Sequence, residues 1–505
     1  MRPLTAVTAG NDRRGPTPRS AGFSAKPRHG SNWGPEALRR SHGWLRRYGD
    51  LTLFGIGLAA LVFLAGLAVG RVGLFPWPLI NAAYDAATDL RANAPHYLGI
   101  RSRFDEPTDR VGAGLTVNDP SLAFQGYTFF TGYRPESPNK YYAYMLDMKG
   151  NIVHRWDTDL RRIWPNSSHI NVGQLEGNVE IHGAFLYPNG DILVNMVGAG
   201  TVKLDRCSNV LWTVDRPTHH HVEPLPDGGA FILSKIQRRE GQADRPYVGV
   251  GPSGFYDDDT VLEVGPDGSV RHEESVIDIL FRSGWESVLF SRPGAARRIR
   301  EEDPIHINDV ERLKPEMAAA FPMFAAGDLL LSLRETNTLL VVDPRTWKAK
   351  WAMTGPFLGQ HDPDFLPNGR IMVYDNRITG KKPRFGNTRL LEIDPSTKSV
   401  VWEFEGTPEQ QFYAESRGQQ QLLPNGNILI EDAHHGRVFE VAPAHGGKTV
   451  WEWINSSEPG FAGLVADVQR VERQDASWLG ASCDGQEEVP PIAALGRPPS
   501  PLKVR

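Results

Sequence analysis

HDPDFLPNGRIMV, residues His361 to Val373, sets a histidine six residues before Pro367-Asn368-Gly369 and follows the turn with a short apolar run. The phrase returns as HGAFLYPNGDILV from His182, and as HHVEPLPDGGAFIL, where His220 stands six residues before Pro226-Asp227-Gly228. A fourth copy, QQQLLPNGNILI ending at Ile430, keeps Pro424-Asn425-Gly426 and has Gly418, beside Arg417, at the histidine's place. Each copy reads as strand, tight turn, strand: Pro presets φ before the bend, and Asn-Gly or Asp-Gly tolerates positive φ within it. A second phrase, an Asp-led turn followed by Trp, runs from Asp343 to Trp351 and from Asp394 to Trp402. It recurs more loosely from Asp205 to Trp212 and from Asp147 to Trp156.

Hairpins that recur every few tens of residues indicate one β unit repeated radially or linearly. Both phrases together give six units, with five or seven compatible with the count. Gly126 to Trp156 supplies the first, and His306 to Trp351 a degenerate fourth whose turn is Ala326-Gly327-Asp328. Four-stranded units of this kind suit an all-β, six-bladed β-propeller, whose innermost strands run in one sense along a central channel. One repeat position then converges at one channel mouth, and His182, His220, His306 and His361 are expected there. A satisfied core histidine is the plainer reading of any single copy; four at one mouth read as a site. On an alternating strand, His221 is expected to point away from His220, into the blade packing.

Leu51 to Gly70 is a run of twenty residues without a charge, about the length that crosses ~30 Å of hydrocarbon as a helix. Arg39, Arg40, Arg46 and Arg47 precede it, so the positive-inside rule puts the propeller outside. A cleaved signal peptide competes, but the long leading segment and the lack of a small-residue cleavage site count against it. The expected organisation is a disordered basic cytoplasmic arm over 1–50, a transmembrane helix over 51–73 and a linker with a short helix over 74–123. The propeller follows over 124–456, and a partly disordered tail over 457–505. The arm holds ten Lys and Arg against three acids, while the whole chain carries a net charge of -5 and gives no reason to expect nucleic acid. Two cysteines, Cys207 and Cys483, either form one disulfide pinning the tail or stay as thiols.

Weaker motifs carry little. Gly249 to Gly254 matches G-x-G-x-x-G, but Pro252 interrupts it and no helix follows. Asp257, Asp258 and Asp259 read as a solvated loop, and His219, His220 and His221 cannot share one ion on a regular strand. No metal and no cofactor is therefore expected. A metal-dependent hydrolase would draw on the same histidines, with Asp362 and Asp364 as its only supporting carboxylates.

From Gly126 to Trp453 the chain resembles bacterial arylsulfotransferases, extracytoplasmic propeller enzymes that move a sulfuryl group between phenols. The resemblance rests on DPIHINDVERL (Asp303 to Leu313), GDLLLSLRETNTLLVVDP (Gly327 to Pro344), GPFLGQHDPDFLPNGRIMVYDN (Gly355 to Asn376) and SRGQQQLLPNGNILIEDAHHGRVFEV (Ser416 to Val441). It implies transfer from an aryl sulfate to a phenol through a histidine, without 3′-phosphoadenosine phosphosulfate, in an inner-membrane protein facing the periplasm or the cell exterior. His306 and His361 match catalytic positions; His182, His220, Asn308, Arg377 and Arg417 are the expected substrate-binding residues, with Arg334 and Arg384 as rivals to Arg377. The chain departs from the family where the sulfuryl-accepting histidine belongs: Ser416-Arg417-Gly418 stands there, and arginine, always protonated, is no nucleophile. His434 and His435 lie one strand later. The alternative is a non-catalytic propeller that binds an anionic aryl ligand or a protein.

Overall fold

The computed structural model describes the chain from Pro35 to Cys483, except residues 73–78, parts of 79–103, and 111, 135–140, 171–178, 240–254, 291–302, 380–382, 407–409 and 411. The expected Pro-rich end of the tail and the arm up to residue 34 lie outside the described residues. The chain divides into two units, Met1–Ala94 and Pro95–Arg505.

In the first unit one helix, Pro35–Val72, contains the apolar run. Its stretch Tyr48–Gly70 is 23 residues long and apolar enough to cross a membrane, and at 1.5 Å per residue it measures about 35 Å. Leu51, Phe54, Ile56, Leu61 and Phe63 are all exposed, as a core helix would not allow. The helix begins well before the apolar run, so residues 35–50 are not the structureless arm expected.

The second unit is a six-bladed β-propeller. The innermost strands of blades two to six are Ile181–Leu186, Thr218–Pro224, Ile307–Arg312, His361–Phe365 and Gln420–Leu422. Each is followed by the Pro-Asn/Asp-Gly turn or, in blade four, by a longer loop ending at Gly327. The turn glycines sit at positive φ, 86° at Gly190, 79° at Gly369 and 81° at Gly426, as the hairpins require.

Blade one breaks the sequence order. Its outer three strands, Tyr127–Tyr133, Tyr141–Leu146 and Ile152–Trp156, are the unit expected from Gly126. Its innermost strand is Val465–Val471, antiparallel to Tyr127–Tyr133. The propeller therefore extends beyond residue 456, where the tail was expected to begin. At the other end, Gly114–Asn118, in the expected linker, adds a fifth strand to blade six beside Lys448–Ile454. Segments from both ends of the unit thus pair into the ring, each covering the edge of a strand distant in sequence.

The apolar core lies in wedges between neighbouring sheets. One joins Phe231 and Leu233 of blade three to Val310, Leu331 and Leu340 of blade four; another joins Leu193 of blade two to Val222 and Ile232 of blade three. Outer-strand tryptophans fix the spacing, because a buried indole N–H needs an acceptor. Trp156 donates to Gly190 O of blade two at 3.0 Å, Trp351 to Pro395 O of blade five at 2.9 Å and Trp451 to Met148 O of blade one at 3.2 Å.

Cys207 and Cys483 form a disulfide, Cα to Cα 5.5 Å, that closes a loop of 276 residues. Trp478, just before it, packs its ring against Trp156 at 5.6 Å. A covalent closure of this length restricts the unfolded chain strongly. The Cys207→Ser/Cys483→Ser variant should lose about 2–5 kcal/mol of unfolding free energy. Urea denaturation against the oxidised wild type checks this; coincident curves would mean that the crosslink adds nothing.

Candidate active site

Equivalent positions follow from the last hairpin pair of the innermost strands of blades two to six, Leu186 with Ile192, Pro224 with Ala230, Arg312 with Leu329, Phe365 with Ile371 and Leu422 with Ile428, and in blade one from Arg470, whose N–H is capped by the preceding blade's Gln421 as Phe365 N is by Glu311. Four residues earlier stand His182, His220, Asn308, His361, Gly418 and Ala466. His306, expected at this position, lies two residues before it, and Asn308 fills it.

The rings nevertheless meet. His182 and His220 lie 4.5 Å apart between ring centroids, and His220 and His306 4.8 Å. His306 Nε2 faces His220 Nε2 at 3.3 Å, and His220 Nδ1 faces His219 Nδ1 at 2.9 Å. At one end His306 Nδ1 meets the Asp303 carboxylate; at the other His219 Nε2 lies 3.2 Å from Ser234 O and 3.3 Å from Asp259. Burial, reinforced by the charge of Arg334, holds His306 well below the ordinary imidazole range, and burial with His182 and His306 does the same to His220. Neutral rings carry one N–H each. With those hydrogens on His306 Nδ1 toward Asp303 and on His220 Nδ1 toward His219, both facing Nε2 atoms keep their lone pairs.

The innermost strands are kinked where they enter the channel. His220, His306, Asp362 and Arg417 have positive φ of 56°, 47°, 47° and 62°, a conformation that costs non-glycine residues on the order of 1 kcal/mol or more and collects at functional sites. The kink at His220 falls in a register shift between Thr218 and Val222 and breaks the two-residue alternation. Consequently His221 does not turn into the blade packing as expected. It lines the channel, its Nδ1 3.5 Å from Asp309, and His219 turns inward instead.

His361 is buried, with Nδ1 2.7 Å from Asn376 Oδ1 and Nε2 accepting from Arg417 N at 3.3 Å. Asn376 uses its amide N–H groups on Ala414 O and Arg417 O, so His361 donates through Nδ1 and its Nε2 is capped by backbone. Asn308 is buried, donates Nδ2 to Gln360 O at 2.8 Å and has no donor at Oδ1 among the described residues.

The arginines divide sharply. Arg334 follows the second strand of blade four, its backbone N donates to His306 O at 3.1 Å, and its charge acts on His220, His306 and His361. Arg377 turns the other way, Nη1 to Asn387 O at 3.3 Å and to Glu405 at 3.0 Å, and is not brought to the histidines. Arg417 is held in a two-point pair with Glu180 of blade two, at 2.7 and 2.6 Å. Beside it Gly418 stands at φ 102°, where a Cβ would lie 2.2 Å from the Tyr374 ring; that ring fills the space a histidine would need. His434 lies apart from the channel histidines, 3.0 Å from Ser416 Oγ, on the wall of a separate cavity of about 430 Å³ that also exposes Glu106, Arg110, Tyr413 and His435.

A channel of converging histidines in a six-bladed ring defines the class: a propeller with a polar axial site. The arylsulfotransferase (ASST) family model matches residues 184–456, more than half of the chain, and the protein belongs to that family. No curated protein matches it. Among solved structures, a protein of unknown function from Bacteroides caccae is similar at 14% identity and TM-score 0.43, over 68% of this chain and 98% of that one. A streptogramin B lyase is similar at 11% identity and TM-score 0.37, over 71% and 97%. At these levels the likenesses carry no argument about chemistry.

The Glu180–Arg417 pair bridges blades two and six, and both side chains are less than a quarter exposed. Arg417→Met, which strands the Glu180 carboxylate, should cost about 3 kcal/mol in urea unfolding, and adding Glu180→Gln should recover most of it. A loss under about 1 kcal/mol would mark the pair as an ordinary surface contact.

Proposed function

We propose that this chain transfers a sulfuryl group from an aryl sulfate to a phenol, with His306 as the acceptor of the group and without 3′-phosphoadenosine phosphosulfate. Family membership supports aryl sulfotransfer in general. The observation that carries the finer reading is the line Asp303, His306, His220: Asp303 fixes the His306 tautomer, so that Nε2 presents its lone pair toward a second imidazole. His361 is the poorer nucleophile, because Arg417 N occupies its Nε2.

In the first half-reaction His306 Nε2 attacks sulfur. The N–S bond forms as the S–O(aryl) bond breaks, and the electron pair leaves on the phenoxide. Sulfuryl transfer is loose, like phosphoryl transfer, so positive charge near the equatorial oxygens does much of the work. Arg334, itself paired with Glu335 at 2.8 Å, is the cation suited to this because its charge acts on His220, His306 and His361, whereas Arg377 turns away and Arg417 is held by Glu180. In the second half-reaction the acceptor phenol gives its proton to His220 Nε2 while its oxygen attacks sulfur and the S–N bond breaks. The proton then passes to the departed phenoxide or to water. His182 and Asn308 line the path beside these groups, and His361 holds its wall.

The same reading places the propeller outside the cytoplasm, anchored by Tyr48–Gly70. The arginines before the span and a disulfide of the kind that persists in oxidising compartments support it. Alkaline extraction should leave the chain in the membrane, and protease added to spheroplasts should digest the propeller. Release by alkali would remove the anchor, and protection from protease would reverse the orientation.

For the chemistry, the wild-type chain with p-nitrophenyl sulfate should give a stoichiometric burst of p-nitrophenolate, and turnover only with an acceptor phenol. His306→Ala should abolish the burst, and Asp303→Asn should slow it by about 10²-fold or more, as loss of a tautomer-fixing carboxylate does. A burst lost in His361→Ala but kept in His306→Ala would transfer the role to His361. A wild-type chain that binds aryl sulfates without burst or exchange would be a binding module.

A further inference from the structure

One residue beyond the repeat position, the innermost strands place Gly183, His221, Asp309, Asp362, Gln419 and Asp467 in a second tier around the axis. Both tiers enclose a cavity of about 20 Å³, lined among others by His221, Asn308, Asp309 and Asp362. His221, Asp309 and Asp362 come from three consecutive blades, and one ligand atom from each lies within 4.8 Å of the others. Ligands on opposite sides of a divalent ion, each at about 2.0–2.6 Å, are about 4.0–5.2 Å apart, so the spacing fits one ion.

A second observation points into the same space. Asn308 is 4% exposed, its Nδ2 is committed to Gln360 O, and its Oδ1 accepts no hydrogen bond among the described residues. A buried acceptor left open is costly, and a cation is one partner that satisfies it. The acids sharpen the case. Asp467 and Asp362 each spend an oxygen on a neighbouring blade, Asp467 Oδ2 accepting from Gly183 N at 2.9 Å and Asp362 Oδ2 from Gln420 N at 2.6 Å. Asp309 meets His221 only at 3.5 Å.

We propose that His221, Asp309 and Asp362 bind one divalent transition-metal cation on the propeller axis, with Asn308 Oδ1 as a further oxygen ligand. One imidazole with oxygen donors suits Mn²⁺ or Zn²⁺ better than Ca²⁺. The ion would tie blades three, four and five together beneath the histidine tier. It would share Asn308 with the sulfuryl path but leave His306 and Asp303 untouched. His221 and His220 then face the channel at two depths, which the kink at His220 makes possible.

The test uses the full chain in detergent, stripped with a chelator and titrated with Mn²⁺ and, separately, Zn²⁺ by calorimetry. One equivalent should bind, and the Mn²⁺ complex should show hyperfine coupling to a single imidazole nitrogen. Asp309→Asn and His221→Ala should each weaken binding about 100-fold and Asn308→Ala about 10-fold, while Asp257→Asn, on the strand Phe255–Val264 and paired with Lys235 rather than lining the cavity, should leave it unchanged. Circular dichroism checks that each variant is folded. The wild-type titration and the nitrogen coupling decide the question even if a variant fails to fold. No saturable binding, no imidazole coupling, or unchanged affinity in folded Asp309→Asn and His221→Ala chains would overturn the proposal.

Discussion

An innermost strand of a propeller blade has a hairpin partner on one side only, and the other edge faces the channel with backbone N–H groups that need acceptors. Here the neighbouring blade supplies them. Asp467 and Gln469 of blade one cap Gly183 N and Leu186 N of blade two. Glu311 of blade four caps Phe365 N of blade five, and Asp362 of blade five caps Gln420 N of blade six. Gln419 and Gln421 of blade six return to Val468 N and Arg470 N of blade one. Each bond left unmade would cost about 1–3 kcal/mol. The acids that make the channel polar are thus first of all the mortar of the ring, and any chemistry on the axis uses a layer already required by the fold.

Kinks decide what the channel displays. A regular strand would offer every second residue to the axis and hide its neighbours. Positive φ at His220 and Asp362, and the glycine at 183, let consecutive residues of one strand share the opening. Gly183 is needed there because a Cβ would lie 1.8 Å from His220 O. The result is two stacked tiers, imidazole above and carboxylate below, where a straight strand would have made one.

Much of the fold was legible because Pro-Asn-Gly turns are local signals: they mark hairpins without reference to the rest of the chain. The closing strand Val465–Val471 was not, because no turn phrase joins it to Tyr127–Tyr133. The histidines were legible as a repeat, but the long blade-four loop, ending at Gly327, concealed that Asn308 holds the repeat position. Arg377 was a reasonable reading by distance from its strand, yet its side chain follows a kink toward Glu405, while Arg334 is tied by backbone to His306. Glu180 and Arg417, 237 residues apart, carry no local mark of their pairing. The carboxylate tier was visible in principle as the residue after each repeat position, in Asn308-Asp309 and His361-Asp362.

Val465–Val471 also governs the order in which the molecule can be completed. Tyr127–Tyr133, on which blade one is built, emerges more than 300 residues before its inner partner. During synthesis at roughly 5–20 residues per second, blades two to five can form as local hairpins while blade one waits half-built, its Tyr127–Tyr133 edge open. A chain cut short after blade six would keep His182, His220, His306 and His361 and still lack Asp467, Gln469 and the seam that closes the circle. The last strand made is the first wall of the channel.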